Sequence, residues 1–558
     1  MTAPARTLLI TAVALALAGC AGEQKPSVAP AEQPHPAASS SMAASTVPSQ
    51  APAPSSPRSE PVAAPDIEVE TIRSAPFGLE AAREAHRQNE QRRRLRYLEA
   101  LEPGYLLRTT REALPEDRIL AGAVSVRELR EIGRLLFQHD YTFADGLGSG
   151  ESRRRAEAGG NPFRRVHGGR FGGPETTSCT SCHWRGGLAG GGALQDASLI
   201  LGDGSDVEGA DPRNPPALQG VGVVEALAVE MTRELGAARA RLAEDARREK
   251  TPIERKLVAK GVEFGTLRAS AEGEIDAAGV QGVDPDLVVR PFGWKGTFAT
   301  VREFVAESLQ LHFGIQCDDL IVANRRRAEP ELVGSGPDGD DPDGDGVRQE
   351  LTSGQLTALV TFLACEELPV VRPPETVHGL EPAAPGLPAP VAVDFTDAWS
   401  RGRELFSDIG CARCHVPALV LENARFATGS ADGGRGLEID LARELGPAGF
   451  PRSERQGGYP VWLFSDLKRH DLGPANASRH VDHGVSREQY LTRRLWGLSS
   501  SPPYFYDGHA SSLDQAIESH GGEANDTRVA FQALSRLEQG ALRVFLLSLT
   551  RERRLVVP

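Results

Sequence analysis

The string SCTSCHWRGG, Ser178 to Gly187, is answered further along by GCARCHVPAL, Gly410 to Leu419. With 7 Cys and 13 His among 558 residues, random placement predicts about 0.002 C-x-x-C-H strings, so two of them require a chemical reason. Paired thiols with a histidine directly behind read as c-type haem attachment. Cys179 and Cys182, and again Cys411 and Cys414, add to the haem vinyl groups, while His183 and His415 ligate iron from the proximal side. A thioredoxin-like dithiol needs a βαβ setting that neither string has. Four Cys and two His split by more than two hundred residues lack the compact spacing of a structural zinc site. Covalent anchoring lets a small helical domain keep its haem, and two strings predict two such domains.

An internal repeat supports that division. LTSGQLTALVTFL from Leu351 and LSRLEQGALRVFL from Leu534 share the order L-[S/T]-x-x-[Q/E]-x-x-A-L-x-x-F-L. Thr352 with Gln355, and Ser535 with Glu538, form capping-box pairs that start a helix. Upstream, WKGTFATVREFVAESL from Trp294 pairs with YDGHASSLDQAIESH from Tyr506, aligned on Gly296 and Gly508. Thr300 with Glu303 and Ser512 with Gln515 again read as capping boxes. The expected fold is mainly α: two tandem cytochrome c-like helical domains, with a small β-containing insert in the first. That insert follows Met231, opens helix-rich and then contains one or two short hairpins. The domains run 126–390 and 391–558, behind a helical, Arg-rich extension at 67–125.

Residues 1–20 have the short apolar core of an export signal, too short to span a bilayer as a helix. Small residues before Cys20 resemble a lipobox, so Cys20 is the expected lipidation site, with an ordinary secretory leader as the alternative. The resemblance extends to outer-membrane sorting on the periplasmic side of a Gram-negative cell. Residues 21–66 are Pro, Ala and Ser in low-complexity order and read as a tether. A formal net charge of −14, with no basic stripe, argues against nucleic acid as a partner.

Methionine cannot supply the distal ligands, since Met1 is removed, Met42 lies in the tether and Met231 opens the insert. Histidine is the substitute. Leu513, Ile517 and His520 form one inward stripe; the matching stripe of the first half is Val301, Val305 and Ser308, with His312 one turn later. His470 is a further candidate for a haem pocket, and Trp496 for an inter-haem route or for plain core packing. His139, His167, His480 and His483 read as surface or structural. In an exported chain Cys317 and Cys365 suggest a disulfide, against two buried free thiols. Asp341, Asp343 and Asp345, with Gly346, resemble a calcium loop, although its twelfth position is Thr352 and not Glu.

With RNPPALQGVGVVEAL, VVRPFGWKGTFATVREF, FSDLKRHDLGP and RRLWGLSSSPPYFYDGHASSLDQAIESHGGEA beside the two C-x-x-C-H strings, the chain resembles the di-haem oxidoreductase family from about Val126 to Leu549. That family, often labelled thiol oxidoreductases, is related to the di-haem cytochrome c peroxidases and to the enzyme that matures the tryptophan-derived cofactor of methylamine dehydrogenase. The resemblance implies that electrons from a small cytochrome or cupredoxin enter at the second haem and reach a small-molecule oxidant, such as peroxide, at the first. In the peroxidases a Met stands where His520 is found, and the first haem carries a distal Gln and Glu. Here Phe304 aligns with that Gln and His312 falls near that Glu, leaving Glu307, Glu225 or His312 to shuttle a proton. The alternative is a non-catalytic relay with both irons six-coordinate.

Overall fold

The computed structural model describes residues 79–163, 173–202, 206–327, 341–371 and 395–550. The leader with Cys20, the tether, His167 and the boundary at 390 lie outside them.

The Arg-rich stretch forms α1 (Leu79–Leu101), α2 (Tyr105–Ala113) and α3 (Glu116–Leu120), leading into α4 (Val126–Phe137). The first half continues through α5 (Gly150–Glu157), α6 (Val221–Glu249), α7 (Val301–Ser308), α8 (Asp318–Arg327) and α9 (Ser353–Ala364). The second half holds α10 (Thr396–Asp408), α11 (Leu441–Gly449), α12 (Leu513–Glu518), α13 (Asn525–Ala533) and α14 (Arg536–Ser548). Each half is organised by one crossing of helices, α4 on α9 and α10 on α14.

The crossings are closed by glycine. A Cβ at Gly133 would stand 2.0 Å from the Ala358 carbonyl oxygen, and one at Gly402 would stand 2.1 Å from that of Ala541. Only a bare Cα lets the partner backbone come so near. Beside each contact a phenylalanine of the repeated A-L-x-x-F-L segment, Phe362 or Phe545, fills the crossing. The string G-R-x-L-F, Gly133 to Phe137 and Gly402 to Phe406, marks the same position in both halves.

The helix-rich start expected after Met231 is the second part of a longer helix. Helix α6 runs unbroken for 29 residues from Val221, so Met231 lies mid-helix, fully buried in the core. A hairpin follows, Ile253–Ala259 against Val262–Ala269, with Ile275–Asp276 added at its edge. Its two turn residues, Lys260 and Gly261, have φ of 48° and 80°, the conformation of a two-residue hairpin turn. The second half also carries sheet that its sequence did not announce, in three-residue antiparallel pairs: Leu419–Leu421 with Tyr459–Val461, Arg425–Ala427 with Glu438–Asp440, and Arg469–Asp471 with Gln489–Leu491. Strands so short leave little alternation to read.

Helix α6 joins the halves, packing on the hairpin and on Leu419–Leu421. Lys260 Nζ lies 2.7 Å from Glu230, 2.9 Å from Glu422 and 3.2 Å from Glu234, with its side chain and that of Glu230 each 7% exposed. Removing the cation strands a buried carboxylate. Lys260→Met is expected to cost about 3 kcal/mol of stability, measured as a lower denaturation midpoint at unchanged slope.

Candidate functional site

The second C-x-x-C-H string opens at Gly410, whose φ of 96° turns the chain into a 3₁₀ turn, Cys411–Arg413. The His415 amide donates to the Cys411 carbonyl at 2.9 Å, and both cysteines and the imidazole face one cavity. Across it stands α12, whose Ser512 hydroxyl accepts the Gln515 amide. The capping box does not close there as in the other three helices, because the Gln515 side chain accepts from Ser511, one residue earlier. One turn beyond, His520 points back at His415, their ring centroids 6.3 Å apart. With metal–imidazole bonds of about 2 Å and about 1 Å from each bonded nitrogen to its ring centre, a single metal between two imidazoles sets the centroids about 6 Å apart.

The tautomers agree. His415 Nδ1 donates to the Phe464 carbonyl at 3.1 Å and His520 Nδ1 to the Ala516 carbonyl at 2.7 Å. A carbonyl only accepts, so each Nδ1 carries the proton and each Nε2 keeps its lone pair. Burial, reinforced by His520, lowers His415 to about 4, and burial lowers His520 as well, so both are neutral imidazoles at neutral pH, the form in which a histidine can ligate a metal. Burial holds the Cys411 thiol up at about 12, as it does Cys179, which argues against a thiolate redox pair.

The cavity is about 490 Å³ and mainly apolar. Arg493 and Arg494 also line it, and among the described residues neither has an ion-pair partner; burial lowers them to about 9 and about 10. Two uncompensated guanidiniums beside an apolar slot fit the two propionates of a haem. His470 lines the cavity too, gripped by Asp466 at 2.8 Å and Glu523 at 2.7 Å. Burial lowers its pKa, but the Asp466 carboxylate outweighs that and holds the imidazolium to about 11. Trp496 belongs to the core and to the cavity wall at once: its indole donates to the Trp462 carbonyl at 2.6 Å and its ring packs on Gly220 at the start of α6.

The first string repeats the turn, as Cys179–Ser181, with the His183 amide again 2.9 Å from the Cys179 carbonyl. His183 Nδ1 donates to the Pro216 carbonyl at 3.0 Å and the Gly190 carbonyl at 3.1 Å, and burial lowers its pKa to about 4. Its cavity, about 180 Å³, brings in Glu307, His312 and His483. Ser308, which aligns with His520, turns its hydroxyl back to the Phe304 carbonyl at 2.7 Å. The chain then widens into a π-helical segment, Leu309–Phe313, and this carries His312 into the cavity. His312 differs from the other three in its support: Nδ1 meets the Glu175 carboxylate at 2.5 Å and the Ser198 hydroxyl at 3.3 Å. His483, read from sequence as peripheral, lies on this wall beside Asp482, its ring 5.5 Å from that of Phe298. His139 pairs with buried Asp145 at 3.1 Å and His480 bonds the Gly209 carbonyl at 2.6 Å, both structural.

Two expectations fail. Glu225 is absent from the cavity; it lies on α6, where its carboxylate accepts the Val301 amide at 2.6 Å and so caps α7. Burial raises it to about 8. An acid whose folded pKa lies above its unfolded value loses stability as pH rises between the two. Glu225→Gln, which keeps the acceptor, is therefore expected to flatten the fall in stability from about pH 4.5 to 8, measured by urea unfolding across that range. Cys317 and Cys365 are buried free thiols. Cys317 pairs with Leu351 just before α9 and Cys365 follows its last turn, so a 12-residue helix, about 18 Å long, separates them. A disulfide needs Cα atoms within about 7 Å.

Asn214, Pro215, Pro216 and Trp294 line both cavities, forming a common wall. Trp294 donates to the Asn214 carbonyl at 2.8 Å and carries the Arg493 guanidinium 4.5 Å above its ring. Its alignment with Tyr506 was visible in the repeat, but nothing in the spacing said that it stands between two sites.

Two walled cavities, each lined by histidines beside a C-x-x-C pair, have the donor sets to hold two metal-bearing groups. Residues 386–549, containing Cys411, Cys414, His415 and His520, match the family model described as "Di-haem oxidoreductase, putative peroxidase". A family of that description implies haem as the cofactor. Among solved structures the chain is similar to "Crystal structure of a MauG-like protein associated with microbial copper homeostasis", at 14% identity and a TM-score of 0.33, over 77% of this chain and 91% of that one. No curated protein sequence matches.

Proposed function

We propose that the protein is a di-haem c-type oxidoreductase, with electrons entering at the His415–His520 centre and leaving at the His183–His312 centre to peroxide or another small oxidant. The observation that carries the reading is the 6.3 Å facing pair, His415 and His520, set over Cys411 and Cys414. Haem supplies one-electron redox chemistry; the chain supplies the rest. At the second centre both imidazoles are fixed by backbone carbonyls, a closed arrangement suited to electron transfer. The common wall through Trp294 keeps the centres close.

At the first centre Glu307, His312 and His483 are the groups able to hold a proton beside an incoming oxidant. His312 stands on a π-helical segment that ends at Gly314, φ 77°, a junction able to swing the imidazole aside. One observation favours the relay reading instead: the Glu175 carboxylate behind His312 is the support a permanent axial ligand has. Visible and electron paramagnetic spectra of the fully oxidised and half-reduced protein, with and without peroxide, decide between them. A high-spin species that responds to peroxide supports the enzyme; two low-spin centres indifferent to peroxide support the relay.

Lipid attachment through Cys20, a periplasmic outer-membrane location and a small cytochrome or cupredoxin as donor belong to the same proposal, supported by the leader and tether. Among the described residues no helix is long and apolar enough to cross a membrane.

A further inference from the structure

Away from both cavities, Asp341, Asp343 and Asp345 bring one carboxylate oxygen each to within 4.8 Å of the others. Gly344 and Gly346, at φ of 68° and 89°, let the backbone curl around them. The Asp345 amide donates to Asp341 at 3.2 Å and to Asp343 at 3.3 Å, and the Gly346 amide donates to Asp341 at 3.2 Å. These contacts alone describe an acidic turn.

Glu350 changes the reading. It comes from the far end of the loop and is 1% exposed. One of its oxygens accepts the Gln316 amide at 2.6 Å, while the other, Oε1, is buried with no hydrogen-bond partner. Asp343 Oδ2 is orphaned in the same way. The charged groups facing Glu350 are Asp343, Asp345 and Asp341, and the cation packed against the cluster is Arg153 of α5, 3.1 Å from Asp345. Among the described residues, four carboxylates face one guanidinium, too little positive charge for all of them to stay ionised. Burial, then Asp345, push Asp343 up to about 8, and burial with Asp343 pushes Glu350 well above the carboxylate range. Hard, anionic oxygens without donors are what a divalent cation satisfies, and several carboxylates along one loop suit calcium, which takes about six to eight oxygens, better than magnesium, which keeps several of its waters.

We propose that Asp341, Asp343, Asp345 and Glu350 form a calcium site that pins the 341–350 loop to the segment carrying His312. Glu350 stands two residues before the position an EF-hand reserves for its glutamate, and its charged neighbours are the three aspartates of the cluster, Asp343 foremost. Its hold on Gln316 lies three residues beyond the π-helical segment, and the Gly148 amide holds the Phe313 carbonyl at 2.7 Å. The neighbouring backbone is cut to fit: a Cβ at Gly146 would stand 2.3 Å from Glu350 Cγ, and one at Gly150 would stand 2.4 Å from the Gly344 carbonyl. The ion site is independent of the redox reading; only its effect on His312 rests on it.

The test is on the full-length haem-loaded protein, stripped with a chelator and titrated with calcium chloride, with bound ion counted by atomic emission and affinity by calorimetry. One calcium per chain is expected, with a dissociation constant of about 10⁻⁴ M or tighter, a rise in thermal midpoint and little response to magnesium chloride. Glu350→Gln and, separately, Asp343→Asn are expected to weaken binding at least tenfold while the haem content is unchanged. No uptake by the wild-type protein at millimolar calcium, equal uptake of magnesium, or full affinity in both variants overturns the proposal. A protein that lacks haem yet binds calcium would fail the redox reading and leave this one standing.

Discussion

On the proposed c-type attachment, alanine at both Cys411 and Cys414 is expected to halve the covalently held haem, from two groups per chain to about one, seen as a mass loss of one haem in the intact protein. The sulfurs line the cavity between His415 and His520, and the buried Cys411 thiol is not a free nucleophile in search of another role. The paired imidazoles survive the change, so a haem can still sit between them; what it loses is the tether. Acid–acetone extraction separates the cases, releasing a group held only by ligation and leaving one held by thioether. The control is Cys317→Ser, a buried thiol that lines neither cavity, which leaves haem content unchanged. Retention of two unextractable haems by the double variant would remove the c-type assignment from this half.

How much of this was legible in the sequence differed by element. The C-x-x-C-H strings and the repeated A-L-x-x-F-L helices are local patterns, and the structure sets them in matching places because each half repeats one helix crossing. The crossing glycines, Gly133 and Gly402, were equally local and were missed, since a glycine within a helix signals nothing until its neighbour is known. His520 followed from helical periodicity. His312 needed the repeat as well, and the reason it lies a turn late, a π-helical segment, leaves no mark on spacing. Glu225 misled because a carboxylate near an aligned motif says nothing of where its side chain turns; it caps a helix. Glu175, Glu350, Arg493, Arg494 and Trp294 gained meaning only from chain brought together across large sequence separations. The Cys317–Cys365 expectation failed on a simple length, the α9 helix between them.

His520→Met should raise the reduction potential of the second centre by about 0.1–0.3 V, a fraction of the roughly 0.8 V range that axial ligands command, with the first centre nearly unmoved. Imidazole donates strongly to oxidised iron, more so when its Nδ1 proton is given to a carbonyl, as it is to Ala516. A thioether lacks that donation and favours the reduced state. The substitution suits the site: α12 ends at Glu518, Gly521 follows, and the side chain at 520 already enters an apolar cavity between Phe505 and His415. Spectroelectrochemistry would read the change as one wave displaced upward and the other unmoved, with thioether ligation visible in the oxidised spectrum. The consequence for function is directional. A second centre raised in this way accepts electrons more readily from a donor but gives them up less readily, so turnover with an oxidant at the first centre should fall while reduction by the donor quickens. Unchanged potential and unchanged spectrum in the variant would mean that His520 is not a ligand, and that its 6.3 Å approach to His415 is only packing.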